Sequence, residues 1–252
     1  MQIEKTVVKS NREIENGIFL ISVHAPSIAA TAEPGQFCNI KVSENDFPLL
    51  RRPFSICEIE DEIVRFMFDI HGEGTRILSN KKPGDELDIL GPLGKGFVLN
   101  GNYETAVIVA GGLGSAPFPF MLNKLPSDKK VMCFVGGRSK KQVITYKMKN
   151  TFAATDDGSE GFNGTVIDLL KNEEAKIDTK SIRVFGCGPN PMLKALQEYS
   201  IQKNIDCQIS VECAMACGFG ICQGCPIERS DDEGFYLVCK DGPVFNAKTV
   251  KL

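Results

Sequence analysis

The sequence predicts a β-barrel plus α/β fold. An N-terminal antiparallel barrel is expected over residues 1–100, a parallel-sheet α/β domain over 101–210, and a small cysteine-bearing module over 211–252. Three observations carry this reading. The first hundred residues are short strand-like runs broken by Pro and Gly turns. From about Tyr103, apolar runs alternate with glycine turns and helical segments. The tail holds a closely spaced cysteine set, Cys217, Cys222, Cys225 and the more distant Cys239. A chain of 252 residues, 42% hydrophobic and 24% charged, has material for two cores. A formal net charge of -3 gives no support for nucleic-acid or anionic-membrane binding. No apolar run is long enough to span a bilayer, and Met1 to Arg12 does not read as a signal peptide, so a cytoplasmic protein is expected.

In the barrel region the expected strands are Ile18 to Val23, Phe37 to Val42, Phe54 to Ile56 and Ile63 to Ile70. Ala25-Pro26, Pro34-Gly35 and Lys82-Pro83-Gly84-Asp85 separate them as turns. A helical turn is expected at Thr75 to Ser79, fed by Gly72-Glu73-Gly74. A glycine loop entering a helix offers bare N–H groups to an anion. Upstream, Arg51-Arg52-Pro53-Phe54-Ser55 places planar guanidinium donors, suited to a pyrophosphate, at the start of a strand.

In the second region, the run Ala106 to Ala110 leads into Gly111-Gly112-Leu113-Gly114-Ser115-Ala116-Pro117, read as a strand, a glycine turn and a helix opened by proline. The Gly-x-Gly-x-x-Gly fingerprint is absent because Pro117 stands at its third glycine, but a tight turn at the carboxyl edge of a parallel sheet still admits a dinucleotide. Val131 to Val135 is the next strand, and another ends near Ala154; Val166 to Leu170 reads as helix. Ile182 to Phe185 leads into Gly186-Cys187-Gly188-Pro189-Asn190-Pro191 and a helix from Met192 to Gln202. The repeating order gives a doubly wound α/β domain.

The chain has ten cysteines, and a reducing compartment argues against disulfides. Cys38, Cys57, Cys133, Cys187 and Cys207 lie among apolar neighbours and read as small buried hydrophobes. The run Cys217 to Cys225 has the spacing Cys-x4-Cys-x2-Cys, the plant-type pattern for a [2Fe–2S] cluster, with Cys239 as the fourth thiol. Gly218, Gly220 and Gly224 let the backbone curl round such a group. Four thiolates also suit a structural zinc ion. Cys213 is left out of the set because it breaks the register.

In this order, the motifs resemble the ferredoxin–NADP reductase superfamily, with a flavin-binding barrel and a nicotinamide-binding α/β domain. Their carriers are Arg52-Pro53-Phe54-Ser55, Gly72-Glu73-Gly74-Thr75, Gly91-Pro92-Leu93-Gly94, Gly111-Gly112-Leu113-Gly114, Thr155-Asp156-Asp157-Gly158, Cys187-Gly188-Pro189-Asn190-Pro191-Met192 and the cysteine set. With its C-terminal module, the chain resembles the electron-transfer subunits of NAD-dependent, two-subunit dihydroorotate dehydrogenases. That resemblance implies FAD held by Arg52, Pro53, Phe54 and Ser55, by the strand residues Met67, Phe68 and Asp69, and by Gly74 and Thr75. It implies NAD beside Gly112, Gly114, Cys187, Gly188 and Pro189, and a [2Fe–2S] cluster on Cys217, Cys222, Cys225 and Cys239. Asp69 departs from relatives, which often carry a basic residue there. The implied path of electrons runs from an FMN-containing catalytic subunit, in a complex with two of each chain, through the cluster and FAD to NAD⁺, within pyrimidine biosynthesis. A related reading in the same superfamily is an NAD(P)H-oxidising subunit of a hydrogenase or ferredoxin reductase complex. Arg138, Lys140 and Lys141 would suit a 2′-phosphate, leaving NADP open. No residue is needed as a general acid or base, and His24 and His71 read as structural or surface groups.

Overall fold

The computed structural model describes residues 1–252 except 16, 46, 175, 176, 178 and 180. Strands β1 (Gln2–Glu15), β2 (Ile18–His24), β3 (Phe37–Lys41), β4 (Arg52–Glu60), β5 (Ile63–Asp69) and β6 (Glu86–Leu93) close a barrel in the order β1-β2-β5-β4-β3-β6. Every pairing in it is antiparallel. Helices α1 (Pro26–Thr31) and α2 (Glu73–Ser79) flank the strands. Val8, Ile21, Val23, Ile40, Ile56, Phe66 and Ile89 fill the interior.

The sequence reading lacked β1 and β6, which pair with each other and close the barrel. In β1 the alternation points the wrong way. Thr6 and Val8 face the core while Ile3 and Val7 lie on the surface at 65% and 38% exposure, so the apolar signal does not mark the buried face.

The α/β region is built from β7 (Thr105–Gly111), β8 (Lys130–Gly137), β9 (Thr151–Thr155), β10 (Phe162–Asn163), β11 (Ile182–Cys187) and β12 (Asp206–Ser210), all parallel to their neighbours among these strands. Helices α3 (Phe118–Lys124), α4 (Val166–Asn172) and α5 (Asn190–Gln202) cross between the strands. Alternate residues of β7 enter different cores: Val107 and Val109 meet α4 and α5, while Ala106, Ile108 and Ala110 meet α3. The sheet is therefore covered on both faces, as double winding requires. The helix expected directly after the glycine turn starts later. Gly112–Ser115 forms a 3-10 turn, and α3 begins at Phe118 with Pro119, not Pro117, in its first turn.

The C-terminal segment contains a hairpin of β13 (Pro226–Glu228) and β14 (Phe235–Leu237), the short helix α6 (Val238–Asp241), and β15 (Val244–Asn246), which pairs antiparallel with β12. The sheet order is thus β10-β9-β8-β7-β11-β12-β15. Cys225, Val238, Cys239 and Phe245 share a core with Phe37, Leu90 and Leu93 of the barrel and with α5. Ile18, Leu20, Cys57 and Met67 from the barrel pack against Ala116 and Ile144 of the α/β region. Beside this seam, the side chain of Glu58 is 3% exposed, pairs with Arg65 at 3.4 Å and with Lys147, and accepts from the Tyr146 hydroxyl at 3.2 Å. A carboxylate so deeply buried is tolerable only when its partners are in place, so this knot fixes the barrel against the segment after β8.

Candidate functional site

A cleft opens where the barrel meets the carboxyl end of the sheet. One wall comes from the barrel: Pro53, Phe54 and Ser55 on β4, Met67, Phe68 and Asp69 on β5, and Thr75 on α2. The opposite wall comes from Leu113 and Ala116 of the glycine turn and from Ser210, Val211, Glu212, Cys213 and Met215 after β12. The barrel wall is stiff. Phe54 and Phe68 are buried at 8% and 1% exposure and meet edge to face at 5.8 Å, and Phe19 stacks on Phe68 at 5.6 Å. The expected flavin residues on β4, β5 and α2 are thus brought together.

Arg52 and Gly74 meet beside this wall. A Cβ on Gly74 would lie 2.9 Å from Arg52 Nε, so glycine is what lets the guanidinium lie across the start of α2. Arg52 Nη1 donates to Leu50 O at 2.6 Å, and among the described residues Nε and Nη2 have no protein partner. Its neighbour Arg51 does something else: it donates to Asp88 O at 2.8 Å and to Asp88 Oδ1 at 2.9 Å, tying β4 to β6. Thr75 Oγ1 accepts from the backbone N–H groups of His71 and Gly72 at 2.8 and 3.2 Å, which shapes the loop entering α2.

The second set gathers at the switch point of the sheet, where β7 and β11 lie side by side and the winding direction reverses. In open α/β sheets ligands bind at the carboxyl ends of such strands. Gly112 follows β7 and has a φ of +54° with open space at its Cβ position. Gly114 abuts the backbone of Cys187 and Gly188, and Gly188 abuts that of Gly111, so the two turns interlock without side chains. Pro189 caps α5. Ser115 Oγ is buried here with no hydrogen-bond partner, a polar atom left over at the edge of the crevice. Cys187 sits below the edge, 2% exposed, its thiol pushed up by burial and by the Glu212 charge.

Glu212 was missed in the sequence. The residue as a whole is exposed, but its carboxyl, set in the cleft, is raised above the usual range first by desolvation there and then by the negative charge of Asp69. Asp69 Oδ2 in turn lies 3.8 Å from His71 Nδ1. The signal that could have found Glu212 is its place just after β12, at the same carboxyl edge as the glycine turns.

The cysteine loop runs from the second wall with little regular structure between 211 and 225. Gly218 and Gly220 have φ values of +80° and +93°. At Gly218 a Cβ would collide with the Asn39 amide of β3, whose Nδ2 donates to Cys217 O at 3.3 Å; the loop can approach the barrel only as glycine. Cys222 N donates to Cys217 Sγ at 3.5 Å and Gly224 N to Cys222 Sγ at 3.4 Å. Burial alone would raise the Cys217 thiol, yet the N–H groups of Cys222, Phe219 and Ile221 pull it down to about 6. Val238 N donates to Cys225 O at 2.9 Å, which places Cys239 beside Cys225 with the sulfurs 3.1 Å apart. The four thiols therefore stand as two pairs, and among the described residues no three ligand side chains converge on one point. A thiol set with backbone N–H groups turned toward its sulfurs has the chemistry an iron–sulfur cluster takes. The other expected buried thiols, Cys38, Cys57, Cys133 and Cys207, are all fully enclosed.

Residues 212–251 match the iron–sulfur cluster binding domain of dihydroorotate dehydrogenase B. The "Dihydroorotate dehydrogenase B (NAD(+)), electron transfer subunit" of Caldanaerobacter subterraneus subsp. tengcongensis is 38% identical over 252 residues, covering 98% of this chain and 97% of the relative. The chain belongs to this family. The subunit of the same name from Fusobacterium nucleatum is 36% identical, with full coverage of both chains. Among solved structures, the NADH-dependent reduced ferredoxin-NADP oxidoreductase superposes with a TM-score of 0.86 at 25% identity, covering 98% of this chain and 89% of that one. A ferredoxin NADP+ reductase from Neisseria gonorrhoeae with bound FAD and NADP shares the fold, with a TM-score of 0.67 at 15% identity over 81% of this chain and 92% of that one. No helix among the described residues is long and apolar enough to cross a membrane.

Proposed function

We propose that this protein is the electron-transfer subunit of an NAD-dependent dihydroorotate dehydrogenase, working in pyrimidine biosynthesis with an FMN-containing catalytic subunit, two of each in the complex. One observation carries the reading: the wall of the cleft formed by residues 210–215 continues directly into the cysteine loop, so the flavin site and the thiol set share a segment of chain. When bound, FAD converts between single electrons and hydride, and an iron–sulfur cluster handles single electrons.

The chain itself binds, orients and shields. Arg52, with guanidinium nitrogens to spare, would hold the FAD pyrophosphate, and Gly74 makes room for it. Pro53 to Ser55 and Met67 to Asp69 would line the ring, with Phe54 and Phe68 keeping water from its barrel side. Gly112, Gly114, Gly188 and Pro189 leave the sheet edge bare for NAD, with Cys187 beneath. Cys217, Cys222, Cys225 and Cys239 would hold the cluster. Ile221, 76% exposed, and Phe219, 37% exposed, stand beside the exposed Cys222 and give the loop an apolar tip for the catalytic subunit.

The test is to purify the complex from the native cell and identify what accompanies this chain. The reading requires flavin absorbance, acid-labile sulfide and an FMN-bearing dihydroorotate dehydrogenase chain; a colourless protein containing zinc and no iron overturns it. The TM-score of 0.86 to the ferredoxin-NADP oxidoreductase favours, as a second reading, an NAD(P)H-oxidising subunit of a ferredoxin reductase or hydrogenase complex. The identity of the co-purified chain separates the two. Lys140 is already paired with Glu160 at 3.1 Å, which leaves Arg138 and Lys141 as the cations for a 2′-phosphate. Rates with NADH against NADPH decide that preference.

A further inference from the structure

The ladder between β4 and β5 shifts register between Ile56 and Glu58. Ile56 and Ile59 pack into the barrel core, whereas Cys57 belongs to the cluster on the barrel's outer side. The bulge therefore puts two successive residues, Cys57 and Glu58, on the side that meets the α/β region, and re-aims a carboxylate that regular alternation would turn inward. Of its partners, Arg65 stands on β5 of the same barrel, but Tyr146 and Lys147 come from the segment between β8 and β9. That segment also supplies Ile144, which shares one apolar cluster with Met67, Leu113 and Ala116. Met67 lies on the barrel wall of the cleft, and Leu113 and Ala116 lie on the opposite wall. One patch of packing thus touches both walls, and the Glu58 knot borders it through Cys57 and Tyr146.

Stability alone does not call for a charge there, since replacing a buried ion pair by apolar groups is often neutral or stabilising. What the carboxylate adds is geometry, because it is satisfied only while Lys147 and Tyr146 hold one place against β4. Hydride transfer needs such precision: a misplacement of about 1 Å can cost on the order of a hundredfold in rate. We propose that Glu58 is a positioning residue for hydride exchange between FAD and NAD, fixing the separation of the two cleft walls through Lys147 and Tyr146. The inference rests on the reading that the two cofactors meet in this cleft.

The experiment mixes NADH with the oxidised holocomplex in a stopped-flow instrument. A hydride passes from the nicotinamide to the flavin, leaving NAD⁺, and flavin bleaching gives a limiting rate and a half-saturating NADH concentration. Lys147→Met removes the cation of the α/β side and leaves Glu58 with Arg65, Lys147→Arg restores a cation, and Glu58→Gln keeps the shape without the charge. In Lys147→Met and Glu58→Gln the limiting rate should fall about tenfold while half-saturation moves less than about twofold. The long-wavelength charge-transfer absorbance between flavin and nicotinamide should weaken with the rate, flavin and iron contents should stay at the parent values, and Lys147→Arg should recover most of the rate. Without any reaction, the backbone N–H groups of Ala116, Val143 and Met148, each bonded within its own turn, should exchange faster with solvent in the two impaired variants. An unchanged limiting rate in Lys147→Met overturns the proposal whatever its unfolding midpoint, and so does a rate lost only in step with flavin content. If Glu58→Gln fails to fold, Lys147→Met, at a half-exposed side chain, decides alone. A parent protein whose flavin NADH does not bleach defeats the underlying reading instead, and is seen before any variant is made.

Discussion

The flavin-side wall of the cleft and the cysteine loop reach definite shapes by different means. The wall consists of strands whose far sides are sunk in the barrel core, with Phe54, Phe66 and Phe68 at 8%, 0% and 1% exposure. The loop has no such backing between Cys217 and Gly224, where its own N–H groups turn inward onto two sulfurs. The first region is preformed by packing. The second is ordered by hydrogen bonds to groups that a cluster would claim, and only its ends, at Gly218 against Asn39 and at Cys225 in the core, are anchored by the fold. It follows that damage to the loop should remove chemistry and spare the fold, whereas damage around the cleft should register as stability.

The sharpest test of that division is Cys222→Ser. It should abolish cluster loading, read as lost iron and acid-labile sulfide, while flavin binding and the unfolding midpoint of the barrel stay at the parent values. A barrel that unfolds with it would show the two regions to be one cooperative unit. Next in size is Gly114→Ala, whose Cβ would strike the carbonyl of Cys187. Overpacking against backbone should cost about 1–3 kcal/mol in denaturant unfolding and weaken NAD binding. Its control, Gly112→Ala, meets no atom within 4 Å and carries only the strain of a φ of +54°, about 1 kcal/mol. Equal losses in the two would mean that the interlocked turns are not the reason for glycine at 114.

Thr75→Ala removes the acceptor for the His71 and Gly72 N–H groups and should cost about 1 kcal/mol, with weaker FAD binding as the loop loosens. The smallest effect expected is that of Asp69→Asn. Because the fold raises the Glu212 carboxyl, the folded chain holds a proton that the unfolded chain has already released just above the ordinary carboxylate pKa. Stability therefore falls as pH rises through the window up to the raised value. Removing the Asp69 charge should narrow that window without closing it, since desolvation of the carboxyl in the cleft is the larger cause; unfolding midpoints measured across mildly acidic pH would show a shallower decline. An unaltered profile would mean that Asp69 does not act on Glu212.

How much of this was legible in the sequence differs between the same two regions. The cysteine spacing is a local signal, because a ligand loop must curl within a few residues, and Gly218 and Gly220 do hold the left-handed φ values that curl needs. The motifs Arg52 to Ser55 and Gly74-Thr75 are local too, and they do meet beside one cleft. Illegible were β1 and β6, since barrel closure joins residues such as Ile3 and Leu90 that are far apart in the chain, and the apolar side chains of β1 at Ile3 and Val7 face outward. The roles of Arg51 and Arg52 also could not be separated, because only the pairing of β3 with β6 puts Asp88 under Arg51.

The sequence by itself determined the order of barrel, parallel sheet and cysteine tail, and the residue types that the site chemistry requires, since turns, caps and ligand spacings act over a few residues. Tertiary structure alone decided that the segment after β12 doubles back to wall the cleft, bringing Glu212 to Asp69 and Cys213 into its lining. These contacts depend on how the barrel docks against the sheet through Met67, Ala116, Ile144 and the buried Glu58 knot. Docking is a sum of many weak burials across the whole chain, and no short stretch of sequence contains it.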